Sequence, residues 1–162
     1  MVDRYFNPFQ STDINVPVGH HEAFVRYCQG TSDSSSIDDK PSTRIDDKPF
    51  PRMVDLWFFS VCVAARLELK PADISKYDTR KIIDGSIFGS DPWRVQTLML
   101  IAVGMTGDVQ IVSEPRKMMA LASGLAVAGL PKVIEMLKDG DAEPIWNLSD
   151  AVDDFLRKEK AA

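Results

Sequence analysis

From Phe50 onward the apolar residues of this chain recur at helical spacing, whereas the stretch before it is more polar and punctuated by proline, glycine and serine. Val54 to Leu69 is apolar nearly all round, the pattern of a central buried helix, and Lys70-Pro71 ends it because proline disfavours helix at the residue before it. Residues 71–90 are mixed. Asp84-Gly85, between Lys81-Ile82-Ile83 and Ser86-Ile87-Phe88, suits the turn of one short hairpin near 81–88. Asp91-Pro92 is a helix start, with a capping side chain and a proline whose missing N–H costs nothing at the first position. That second helix carries Leu98, Ile101, Ala102 and Met105 on one face, and Gly104 and Gly107 bracket its end. Val109 to Val112 reads as a short extended link.

Ser113 opens a third helix, with Pro115 in its first turn, running to about Ala128. Its small residues Ala120, Gly124 and Ala128 recur every four positions and leave one shallow face. Gly129 stops it, and Pro131 begins a short fourth helix with Val133, Ile134 and Leu137 facing inward, ended by Asp139-Gly140. The last helix runs from about Ser149 to Lys158 on a stripe of Leu148, Val152, Phe155 and Leu156. Asp150, Asp153 and Asp154 lie toward its start and Arg157, Lys158 and Lys160 toward its end, which matches the helix dipole. The expected fold is all-α, a compact bundle of about five helices over residues 50–162.

Residues 1–49 read as a polar, mostly irregular N-terminal tail. His20 to Cys28 suits two helical turns, and the QGTSDSSS run after it has the composition of a flexible segment. A direct repeat follows, in which Ile37-Asp38-Asp39-Lys40-Pro41 recurs as Ile45-Asp46-Asp47-Lys48-Pro49, each copy closing with an arginine, Arg44 and Arg52. A period of eight is far below that of a solenoid. The repeat is either a local duplication in a solvated linker or a short motif displayed twice, for which avidity would raise the effective affinity.

Charge narrows the function classes. The net charge is −5, and residues 1–52 carry 6 basic and 8 acidic side chains, so neither part of the chain is basic. A free-standing, sequence-independent DNA binder draws its affinity from neutralised phosphates and needs the opposite balance. Two cysteines, Cys28 and Cys62, are too few for a disulfide framework and point to a reducing compartment. The N-terminus lacks the pattern of a signal peptide, and the run from Met53 to Leu69 is interrupted by charges and too short for a membrane span. The expected location is the cytoplasm.

Candidate chemistry is sparse. His20, His21, Glu22 and Cys28 lack the second ligand pair that a tetrahedral metal site needs. Asp55 with Glu68 and Lys70 imitates a divalent-metal nuclease, but the members stand about 20 Å apart along one helix. The Asp38-Asp39 and Asp46-Asp47 pairs lack the multi-ligand loop of a calcium site. There is no phosphate-binding glycine loop and no nucleophile elbow. The helices expected at 92–106 and 115–129 are joined by too long a link for a helix-turn-helix. Beyond Arg116-Lys117 the second of them is nearly all apolar, so it has few side chains able to read base edges. No catalytic, cofactor-binding or metal residues are therefore assigned, and a non-enzymatic role is expected.

Two stretches carry a resemblance. One is Phe50-Pro51-Arg52-Met53-Val54-Asp55-Leu56-Trp57-Phe58-Phe59 leading into Val63-Ala64-Ala65. The other is Met119 to Leu130 (MALASGLAVAGL), followed by an amphipathic helix. Across residues 50–138 they resemble small accessory proteins of bacterial DNA-phosphorothioation defence systems, which share an aromatic-rich first helix and a later small-residue helix. The resemblance implies a non-enzymatic accessory subunit of a bacterial DNA-modification or anti-phage complex, partnered by DNA-modification or nuclease subunits. It supplies no catalytic residues. The expected partner-binding residues are Asp38, Asp39, Lys40, Asp46, Asp47 and Lys48 of the repeat, Arg116 and Lys117, and Gly124 on the small-residue face, with any exposed part of Trp57, Trp93 or Trp146 as a further anchor. The alternative is a dimeric helical regulator that touches DNA.

Overall fold

A computed structural model describes residues 6–29 and 46–160. The chain is mainly helical, with one two-stranded antiparallel sheet. In order, strand β1 spans Ile14–Pro17, helix α1 Val18–Tyr27, helix α2 Met53–Arg66, strand β2 Thr79–Ile83, helix α3 Pro92–Thr106, helix α4 Pro115–Lys138 and helix α5 Pro144–Lys160. Short 3-10 turns lie between them at Ile74–Lys76, Gly85–Gly89 and Val109–Ser113.

Helices α2 and α4 form the spine. α2 buries Val54, Leu56, Trp57, Val61 and Ala64, and its apolar girdle meets Leu125, Ala126, Leu130 and Val133 of α4 in one core. Their backbones approach closely at Gly129, where a β-carbon would stand 2.0 Å from the carbonyl oxygen of Ser60. Gly129 is thus a contact point and not the helix stop expected from the sequence. The helices expected at 113–128 and 131–139 are a single 24-residue helix running through Pro131. A proline there removes one backbone hydrogen bond and crowds the preceding turn, a cost of about 3 kcal/mol in an isolated helix. Leu130 and Val133, both buried, hold the two sides of the interruption in register. α4 is long and apolar enough to cross a membrane, yet 56% of its most apolar window is inside the fold, so core packing accounts for its composition.

The larger departure lies before Phe50. Phe9, Ile14, Val16, Phe24, Tyr27 and Cys28 all belong to the core, so residues 6–29 are part of the folded body and not an irregular tail. Phe9 is fully buried with its ring edge-on to Phe88 at 5.4 Å, and Phe88 in turn faces Trp57 at 6.2 Å. Burying each such ring stabilises by about 1.5–3 kcal/mol. β1 pairs with β2 across a long sequence separation, Ile14 opposite Ile83 and Pro17 opposite Thr79. β2 is therefore the partner of β1 and not half of a local hairpin at 81–88. After Ile83, the Asp84 carboxylate accepts from the Ser86 N–H at 2.9 Å and turns the chain into the 3-10 segment. Val109 to Val112 likewise forms a 3-10 turn instead of an extended link, capped by Asp108 on the N–H of Gln110.

Substituting Gly129 weighs helix propensity against packing. Alanine gains up to about 1 kcal/mol of intrinsic helicity, but its methyl group would overlap a backbone oxygen that no rotamer change can move. Gly129→Ala is expected to destabilise the fold by about 1–3 kcal/mol. Urea unfolding checks this; an unchanged or higher midpoint would show that the α2–α4 contact is looser than described.

Candidate interaction site

Two adjoining hollows, of about 470 and 320 Å³, lie where the N-terminal segment crosses the start of α4, and both include Ser11, Thr12 and Arg116. The segment is held by its own turn and by a glycine. Asn7 donates from Nδ2 to the Gly85 carbonyl at 3.0 Å and accepts from the Phe9 N–H at 3.0 Å, and the Thr12 hydroxyl donates to the Phe9 carbonyl at 2.8 Å. A β-carbon on Gly85 would stand 1.9 Å from the carbonyl oxygen of Thr12 and 2.1 Å from that of Phe9, so the segment rides directly on that glycine.

The smaller hollow has an apolar lining of Met119, Ala120 and Ile74 and a polar one of Ser11, Asn15 and Ser123. Ser123 is 5% exposed. Arg116 is exposed and forms no ion pair among the described residues. The two carboxylates that border the hollows are already matched, Asp13 by Lys81 at 3.0 Å and Glu114 by Lys117 at 2.6 Å. One guanidinium thus stands beside an apolar trough with hydroxyl and amide groups along it. That arrangement suits an extended polypeptide carrying a carboxylate, because the planar fork of arginine binds a carboxylate with two parallel hydrogen bonds.

The other residues singled out from the sequence go elsewhere. Gly124 is buried, its carbonyl accepting from the Ala72 N–H at 3.0 Å, and a β-carbon there would meet the Ala72 oxygen at 2.5 Å. At Gly124 the shallow face is therefore filled from within the chain, while Ala120, one turn earlier, stays exposed in the smaller hollow. Asp46 accepts through its carbonyl from the Ile145 N–H at 3.2 Å, and Lys48 donates from Nζ to the Val25 carbonyl at 3.1 Å, which tacks the second copy of the repeat onto α5 and α1. Asp47 is exposed beside them. Asp38, Asp39 and Lys40 of the first copy lie outside the described residues. Trp57 is fully buried, whereas Trp93 and Trp146 are more than half exposed.

Asp55 belongs to a charge cluster instead of to Glu68 and Lys70. The Arg94 guanidinium, 5% exposed, bonds the Asp55 carboxylate, donates to the Val54 carbonyl at 3.4 Å and lies over the rings of Phe58 and Trp93 at 5.0 and 4.6 Å. Arg52 bridges Asp55 and Asp91, each at 3.2 Å. This arrangement docks α3 on α2. Among the described residues no group of three His, Cys, Asp or Glu could hold a metal ion. Burial pushes the Cys28 thiol up to about 12, with the Asp55 charge adding to it, which leaves this cysteine a poor nucleophile.

Ser11, Thr12, Asn15 and Ser123 went unrecognised in the sequence, since nothing local marks residues 8–15 as the wall of a site on α4. The chain matches no family model, no curated protein and no solved structure.

Two expectations follow from this geometry. Gly85→Ala should free residues 6–13 from their seat and cost about 1–3 kcal/mol; limited proteolysis should cut the variant there first, and equal resistance of both proteins would contradict the docking. His20, partly buried and with Nδ1 unpartnered among the described residues, is held below the ordinary imidazole value by desolvation. The unfolded chain then takes up the proton first, so stability is complete above pH ~6.5 and declines as the pH falls below it. His20→Gln should flatten that decline in thermal melts between pH 7.5 and 5; a slope unchanged by the substitution would assign it to other groups.

Proposed function

We propose that this chain is a non-enzymatic interaction subunit, cytoplasmic, working within a bacterial complex of DNA-modifying or restricting proteins, and that a partner docks an acidic segment into the cleft between residues 8–15 and the start of α4. The observation that carries the docking is Arg116, without an ion pair among the described residues, beside a trough whose own carboxylates, Asp13 and Glu114, are paired with Lys81 and Lys117. The resemblance of residues 50–138 to accessory proteins of DNA-phosphorothioation systems supports the choice of partners.

An arginine–carboxylate pair at the rim of a site is worth little in open solvent, but a bidentate pair over an apolar trough loses most of its competition from water. Lys117 is spent on Glu114 and contributes less. The cleft therefore discriminates by one fork and by the fit of an extended chain over Met119 and Ala120.

Affinity purification of the tagged chain from the organism that encodes it tests the proposal. DNA-modification or nuclease subunits are expected to co-purify with the parent, to fall by about tenfold or more with Arg116→Glu, and to recover only in part with Arg116→Lys, which keeps the charge but loses the fork. Full retention by Arg116→Glu would remove the cleft from the interaction. Partners unconnected with DNA modification would overturn the proposed context.

A further inference from the structure

Helix α3 is apolar on two faces, and among the described residues only one of them is covered. Val95, Leu98 and Ala102 point into the core, at most 3% exposed. On the opposite side Trp93, Thr97, Leu100 and Gly104 follow each other at intervals of four, three and four residues, the spacing of a coiled-coil seam. Trp93 is 52% and Leu100 74% exposed. The one charged residue of the helix, Arg94, is buried against α2, so this outward seam carries no charge in a protein whose net charge is −5.

We propose that this seam is the contact between two copies of the chain, packed antiparallel about a twofold axis between Thr97 and Leu100. The two ends of the seam complement each other. At one end stands an aromatic knob, Trp93, held edge-on by Phe58 at 5.3 Å. At the other, three helical turns and about 16 Å away on the same face, stands Gly104, with nothing within 4 Å of where its β-carbon would be. Gly104 opens one side of a hollow of about 410 Å³, lined also by Ala65, Glu68, Ile101 and Met105. In the antiparallel register each Trp93 enters the hollow at Gly104 of the other copy, and each Leu100 lies over Thr97 of the other copy. A parallel arrangement would set knob against knob.

Charge selects the same occupant. A twofold contact sets equivalent residues of two identical, acidic chains close together, which penalises charge at the axis. Trp93, Thr97, Leu100 and Gly104 carry none, and the carboxylate of the hollow, Glu68, lies just past the exposed end of α2. Area sets the strength. A 15-residue helix presents a face about 22 Å long and 10 Å wide, well short of the ~800 Å² per partner of a standard stable interface. The dimer is therefore weak and reversible, and each copy keeps its Arg116 cleft.

Sedimentation equilibrium of the full chain from about 1 to 500 µM tests this. The parent is expected to pass from monomer to dimer across that range. Leu100→Glu, which sets two carboxylates near the axis, and Gly104→Leu, which fills the hollow, should each weaken dimerisation by at least about 30-fold. Both positions are exposed, so circular dichroism and the melting temperature at 1 µM should match the parent. Arg116→Glu, which acts on the other surface, should leave the dimer intact. A parent that stays monomeric to 500 µM, or a dimer that both seam substitutions leave unaltered, overturns the inference without touching the cleft.

Discussion

The contact on which the rest of the fold depends is the meeting of two backbones, α2 at Ser60 and α4 at Gly129. Helices that cross through ordinary side chains keep their axes 8–10 Å apart; a glycine that places a neighbouring carbonyl where its β-carbon would be brings them closer. α4 is held a second time at Gly124, whose carbonyl takes the Ala72 N–H just beyond the end of α2. Two fixed points five residues apart, both reaching α2 or the chain leaving it, define how α4 lies. β1, α3 and α5 all pack against α4, so their placement inherits that geometry.

A different kind of constraint sets α3. Arg94 sits with Asp55 and Asp91 at the foot of the helix, nearly shut off from water, with aromatic rings on both Phe58 and Trp93 beside it. Buried ion pairs seldom add much net stability, because desolvating two charges costs as much as their attraction returns. Their effect is on specificity. A guanidinium with one acceptable position fixes the rotation of α3 about its axis, and that rotation decides which of its two apolar seams faces inward. An apolar residue at position 94 would leave the choice between the seams to packing alone.

Much of this was legible in the chain. The caps and punctuation, Lys70-Pro71, Asp91-Pro92 and Gly107, marked the ends of α2 and both ends of α3 to within a few residues. What misled were residues whose local and tertiary meanings differ. Gly129 and Pro131 read as a break because locally they are one, and only the burial of Leu130 and Val133 against α2 carries the helix through them. Phe9, Ile14 and Val16 read as part of a polar tail because their partners, Phe88 and β2, lie some sixty to eighty positions later. The Arg116 cleft was half visible, in its cation alone, since its other wall comes from that same N-terminal segment. The seam on α3 was fully present in the sequence, but a second apolar face looks like core until the structure shows one side already filled.

The cleft and the seam differ in the kind of neighbour each can accept. A surface that meets its own copy about a twofold axis must supply both halves of every contact, so it does best with shape, a knob at one end and a hole at the other. An arginine with no ion pair among the described residues has no such solution near an axis, since its counterpart would be another arginine and the carboxylates beside it are already paired with Lys81 and Lys117. The same charge reasoning supports both proposals, self-association through the seam and a foreign partner at the charged cleft. A symmetric pair joined through α3 would present that partner with two equivalent clefts, raising its effective affinity without any new contact.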